Sequence, residues 1–147
     1  MKTKLMVGLA IAGGIAALGT ATTMAHHAFA AEFDANRPVN LQGKVTRVEW
    51  INPHAWIHID AVKEDGTKTP WMVEGGTPNT LLRRGITKDS LKIGTEIVVR
   101  GYQSKDALCT PKCRANGRDV TFPEGRKLFM GSSGTGAPKD GSDGDEK

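Results

Sequence analysis

An all-β chain carrying one short helix is what this sequence predicts, and three observations carry the prediction. Apolar and polar residues alternate over short stretches, turn-forming Gly, Pro and Asp residues separate those stretches, and a single segment has both a helix start and a helix stop.

The first predicted strand runs from Val39 to Trp50, with Leu41, Gly43, Val45 and Val48 marking its pattern. The second runs from Ala55 to Val62 and alternates cleanly, placing Ala55, Ile57, Ile59 and Ala61 on one side. Asp65-Gly66 then supplies a hairpin turn into a third strand, Thr67 to Glu74. After Gly75-Gly76, Thr77 is an N-cap with Pro78 in the first helical position. Leu81-Leu82 gives the helix its apolar contact and Gly85 ends it after about two turns. Thr95 to Tyr102, with Ile97 and Val99 opposite Val98, forms a fourth strand, and Asp119 to Phe122 a fifth. Pro123-Glu124-Gly125 turns the chain into a short closing strand, Arg126 to Met130.

Three strands, a helix and two further strands is the order of an OB-fold, a small partly open barrel; a six-stranded Greek-key sandwich is the alternative with nearly the same order. In a barrel of this kind the loop between strands one and two would carry Asn52-Pro53-His54. The loop between strands four and five would carry Gln103 to Arg114. OB-folds frame ligands with these two loops, so both segments are expected at one end of the barrel.

Ahead of this domain, Lys2 and Lys4 precede an apolar run from Leu5 to Leu18, and Gly19 to Ala25 is small and polar. That is the three-part pattern of a secretory signal, with an apolar run too short for an ordinary membrane span. Residues 1–25 are therefore read as a signal peptide, 26–130 as one domain, and 131–147 as a disordered tail of glycine, serine, proline and charge. Cleavage after Ala25 exposes His26 as the new N-terminus. Cleavage after Ala30 also satisfies the small-x-small rule and removes both leading histidines. A periplasmic or secreted location follows, with no membrane span after cleavage.

The domain would hold about 105 residues, enough to bury a core without a staple. Its charge balance is mildly basic, far from a nucleic-acid signature, and no nucleic-acid partner is expected. Cys109 and Cys113 are the only cysteines, and in an exported protein they are read as a disulfide that stiffens its own loop. The spacing is not the Cys-x-x-Cys-His of covalent haem attachment.

The four histidines fall in two clusters, His26-His27 and Pro53-His54-Ala55-Trp56-Ile57-His58. If His26 begins the mature chain, its amine and imidazole chelate one metal within a single residue, and a second imidazole completes a T-shaped nitrogen set. Copper(II) favours tetragonal nitrogen sites and outbinds the other first-row divalent ions there. The candidate ligands are His26, His27, His54 and His58, though not all four at one ion. On a regular strand four residues at about 3.3 Å each separate His54 from His58 by roughly 13 Å, with Trp56 between them. His26 with His27 or His54 is the expected set, and Asp60 is a candidate to orient His58. Each histidine has a bland counterpart: a turn residue bonding backbone groups, a satisfied strand histidine, or part of a flexible leader. Glu49 and Glu74 have no partner identifiable from the pattern.

Two motifs, His26-His27-Ala28-Phe29-Ala30 and Asn52-Pro53-His54-Ala55-Trp56, together with Gly101-Tyr102 and Gly125-Arg126-Lys127-Leu128-Phe129, give the chain a specific likeness. It resembles a family of small exported bacterial proteins known only as a domain of unknown function. The resemblance implies export and a shared fold and brings no activity with it.

A second class of function uses an aromatic and basic barrel face: Trp50 and Trp56 bordered by Lys105, Lys112, Arg114 and Arg118. Stacking and charge there would suit an envelope glycan, a small anion or a partner protein. The chain has no Gly-x-Ser-x-Gly elbow, no His-Glu-x-x-His helix and no phosphate-cradling glycine loop. A non-enzymatic exported binding protein is the expectation.

Overall fold

The computed structural model describes residues 29–131, so the expected signal peptide, His26, His27 and the tail beyond Gly131 lie outside the described residues. One helical turn at residues 29–32 leads into six strands and a short helix. The strands are β1 (Phe33–Glu49), β2 (Trp56–Val62), β3 (Lys68–Glu74), β4 (Glu96–Ser104), β5 (Cys113–Thr121) and β6 (Lys127–Phe129). Helix α1 (Pro78–Arg83) lies between β3 and β4.

β1 pairs with both β2 and β4, β4 pairs with β5, and β5 returns to pair in parallel with β3. The circuit β1-β2-β3-β5-β4 therefore closes on itself, with β6 added outside β5. This is the OB arrangement expected from the element order. A two-sheet sandwich does not fit, because the β3–β5 pairing joins what would be its two layers into one ring.

The alternation read in the sequence sets the interior. Ala55, Ile57, Ile59 and Ala61 are buried together with Val45, Val73, Ile97, Val99 and Val120 in one core. Thr77 caps α1 by accepting a hydrogen bond from the Thr80 N–H, and Pro78 opens the helix. Leu81 is fully buried and Leu82 is 47% exposed, because a helix of six residues has room for one core-facing stripe. Gly85 follows at φ 82°, the left-handed position that glycine tolerates.

Two strands extend well beyond the expected limits. β1 begins at Phe33 rather than Val39: residues 34–37 show no strand alternation and form an irregular stretch between the Phe33–Ser104 and Pro38–Tyr102 pairs. β5 begins at Cys113 rather than Asp119. Arg114, Asn116, Gly117 and Arg118 mask it in the sequence, whereas in the barrel this stretch is paired first to β3 and then to β4. The β4–β5 loop thus covers residues 105–112, and Gln103 and Arg114 belong to the strands. The tightest backbone approach lies at Gly43, which faces Ala61 on β2 and Ile97 on β4. A Cβ there would sit 2.1 Å from the Asp60 carbonyl oxygen, so the bend of β1 from one neighbour to the other requires glycine.

A second, smaller cluster sits against β4. Phe29 packs on Phe33 and Tyr102, with ring centroids 5.9 and 5.5 Å apart, and fastens the start of the described chain to the barrel.

Candidate functional site

The outer face of β1, β2 and β3 carries two rows of side chains that follow directly from register. Glu49 lies opposite Trp56, and Trp56 opposite Glu74. One step along, Arg47 lies opposite His58, and His58 opposite Met72. A bulge between Val45 and Arg47 adjusts this alignment. Both loops next to this face contain a cis proline, at Asn52–Pro53 and Thr110–Pro111.

Each histidine on the face is held by a glutamate of a neighbouring strand. His58 Nε2 lies 2.9 Å from Glu49 Oε1, and its Nδ1 lies 2.7 Å from the Lys112 ammonium. Lysine has donors and no acceptor, so Nδ1 is the acceptor and Nε2 carries the proton that is donated to Glu49. This is a neutral imidazole. Burial, the largest influence, holds its pKa below the ordinary 6.5, with Lys112 and Arg47 acting the same way and Glu49 opposing them. Arg47 also reaches Glu49, at 3.3 Å.

His54 is arranged differently. Its Nδ1 is bonded to Glu74 Oε1, and among the described residues Nε2 has no partner. The His54 side chain is 38% exposed while that of Glu74 is 10% exposed, so a buried carboxylate orients a half-open ring. Burial pushes the Glu74 pKa up and Glu32 adds to this, against the pull of His54 and Arg114. Arg114 in turn pairs with Glu32 at 2.9 Å, joining the helical turn at 29–32 to the same end of the barrel.

The expectation that the two loops share one end holds, since Lys112 from the second meets His58 next to the first. His54 and His58 stand on opposite sides of Trp56 with separate carboxylate partners, and no common site joins them. Among the described residues no group of three or more His, Cys, Asp or Glu side chains is arranged to hold a metal ion. Glu49, rather than Asp60, orients His58. Asp60 lies opposite Pro70 and Lys44 and lines a groove with Lys44 and Lys68. Cys109 and Cys113 form the expected disulfide.

Of the aromatic and basic residues, Trp56 is half-buried on the face and Trp50 packs against the core. Lys105 bonds the Ala30 carbonyl, Lys112 bonds His58 and Arg114 pairs with Glu32. Arg118 lies apart, buried one step past the last β3–β5 pair with its guanidinium 5.0 Å from the Phe129 ring centroid. Sequence reading missed the two glutamates because their partners are not directly opposite them: His58 is diagonal to Glu49, and His54 lies in the loop that precedes β2. The signal that finds them is the register itself, which sets Glu49 and Glu74 on either side of Trp56.

The profile of a family of unknown function (DUF6152) matches residues 14–111, and the chain belongs to that family. The match ends within the cysteine loop, so the Gly125 to Phe129 segment lies beyond it. None of the curated proteins matches the chain. Among solved structures, the chain is similar to the N-terminal domain of the PriB protein from Thermoanaerobacter tencongensis, described as dimeric. That likeness has 21% identity and a TM-score of 0.40, over 59% of this chain and 96% of that one. No helix among the described residues is long and apolar enough to cross a membrane.

Proposed function

We propose that this is an exported, non-enzymatic binding protein that holds one copper(II) ion between the free amine and imidazole of His26 and the imidazole of His54, with His27 beside them. The observation that carries the reading is the state of His54. A nearly buried glutamate fixes its Nδ1, and on the half-exposed ring its Nε2 has no partner among the described residues. Metal-binding histidines are typically oriented in this way, with the second nitrogen hydrogen-bonded to a carboxylate.

Two further points support it. Phe29 is anchored to Phe33 and Tyr102, and Glu32, three residues on, is near enough to act on Glu74, the partner of His54. Three residues of extended chain reach about 10 Å, so a chain starting at His26 begins within range of this end of the barrel. A nitrogen-only donor set favours copper(II) above the other first-row divalent ions. A disulfide in the loop beside the site suits an oxidising, extracytoplasmic compartment.

The alternative is an envelope glycan, anion or partner protein bound on Trp50, Trp56 and the basic residues. It has less support, because Lys105, Lys112 and Arg114 are each occupied by a partner within the chain and Arg118 lies elsewhere.

The test is native mass spectrometry of protein recovered from the periplasm, with and without added copper. The expected spectrum is a chain beginning at His26 with one copper, lost on His26→Ala and on His54→Ala and kept on His58→Ala. A chain beginning at Ala31, or copper that survives His54→Ala, would sink the reading.

A further inference from the structure

His58 is closed on both ring nitrogens, and the group that closes Nδ1 comes from a cross-linked loop. Lys112 is flanked by Pro111 and Cys113 and lies inside the small ring that the Cys109–Cys113 disulfide makes. Among the described residues its ammonium makes no ion pair with a carboxylate; its partner is the neutral nitrogen of His58, at 2.7 Å. A cation thus sits where a metal ion bound to Nδ1 would sit, and Glu49 holds the other nitrogen as Glu74 does for His54.

We propose that residues 109–112 form a redox-released lid over His58, with Lys112 as its latch. In the oxidised protein the ring fixes the backbone at Lys112 and aims its side chain at His58. A dithiol reductant gives two electrons and two protons to the Cys109–Cys113 bond: the S–S bond breaks, two thiols form, and the reductant leaves as its own disulfide. The segment 109–112 then spans freely between Leu108, whose N–H bonds Asp106 Oδ1 at 3.1 Å, and Cys113, which stays paired opposite Trp71. The freed ammonium is strongly hydrated and its stem is long, so water and side-chain entropy draw it away from the ring. His58 Nδ1 is left open beside Trp56.

The ligand class this suits is a borderline or soft metal cation, for which a neutral imidazole nitrogen is a donor. That use rests on the copper reading. The lid itself does not, and the experiment reads the lid alone.

The metal-free protein is treated with diethyl pyrocarbonate, which acylates accessible neutral imidazole, and each histidine is followed by peptide mass spectrometry. With the disulfide intact, His54 is acylated and His58 is protected. Reduction of the wild type, or the pair Cys109→Ser and Cys113→Ser, raises the His58 rate roughly tenfold, the worth of one hydrogen bond from a charged donor. Lys112→Met gives the same rise with the disulfide intact, and His54 keeps its rate in every case. His58 remaining protected in reduced protein of unchanged circular dichroism overturns the proposal. So does a rise in Lys112→Met without one on reduction, or an equal rise at His54, which would mark general unfolding.

Discussion

Replacing Glu74 by Gln separates a positioning role from a structural one. In the native protein the carboxylate accepts the His54 Nδ1–H and thereby keeps the lone pair on Nε2. A glutamine amide offers an acceptor and a donor to the same nitrogen, so the tautomer is no longer fixed. Losing such an orienting carboxylate typically costs about 10–100-fold in metal affinity, which is about 1.4–2.7 kcal/mol. Stability should move the other way, or not at all. Burial raises the folded-state pKa of Glu74 above its ordinary 4.5. A raised value means its favourable contribution is full below that pH and is lost as pH rises through the folded value. At neutral pH the buried charge is therefore a cost that the neutral amide removes. Copper affinity is measured at neutral pH by competition with a chromophoric chelator, and stability by thermal unfolding of the metal-free protein. Glu49→Gln is the control, because Glu49 holds His58 and not His54. Unchanged affinity in Glu74→Gln, or an equal loss in Glu49→Gln, would refute the reasoning.

Two other outcomes test the fold around the site. Gly43→Ala drives a methyl to 2.1 Å from the Asp60 carbonyl oxygen, a backbone atom that cannot swing aside. The expected cost is about 3 kcal/mol or more, at or above the top of the usual overpacking range, seen as a thermal midpoint lower by at least ~12 °C. His58 titrates below its ordinary 6.5, so stability is present above that value and falls as pH drops through the folded-state value. Urea midpoints measured near neutrality and near pH 5 should converge in His58→Gln relative to wild type, and an unchanged pH slope would contradict a neutral buried imidazole.

The barrel was legible because its inner face obeys period two: Ala55, Ile57, Ile59 and Ala61 are all core residues. The capped helix was legible for the same kind of reason, since Thr77-Pro78 and Gly85 are local signals with local causes. β5 was half hidden, because Arg114, Asn116 and Arg118 read as a polar loop and become a strand only through partners far away in sequence. The candidate site divides along the same line. That His54 and His58 have separate surroundings is what strand spacing leads one to expect. That Glu49 and Glu74 hold them follows only from register between strands, and so does the difference between a half-open His54 and a closed His58. Lys112 as the group on Nδ1 belongs to tertiary structure alone, since 54 positions separate it from His58.

The parallel pairing of β3 with β5 also sets a timetable. A chain emerging from its N-terminus can assemble β1, β2 and β3 early, and β4 can then dock on β1. Until residue 121 is available, β3 and β4 each present an unpaired edge, the surface most prone to recruit a second chain. The molecule is therefore vulnerable to self-association from the completion of β3 until β5 is made, and loses that vulnerability in one late step. A truncation before Cys113 would freeze it in the vulnerable state, even with most of its core residues already made.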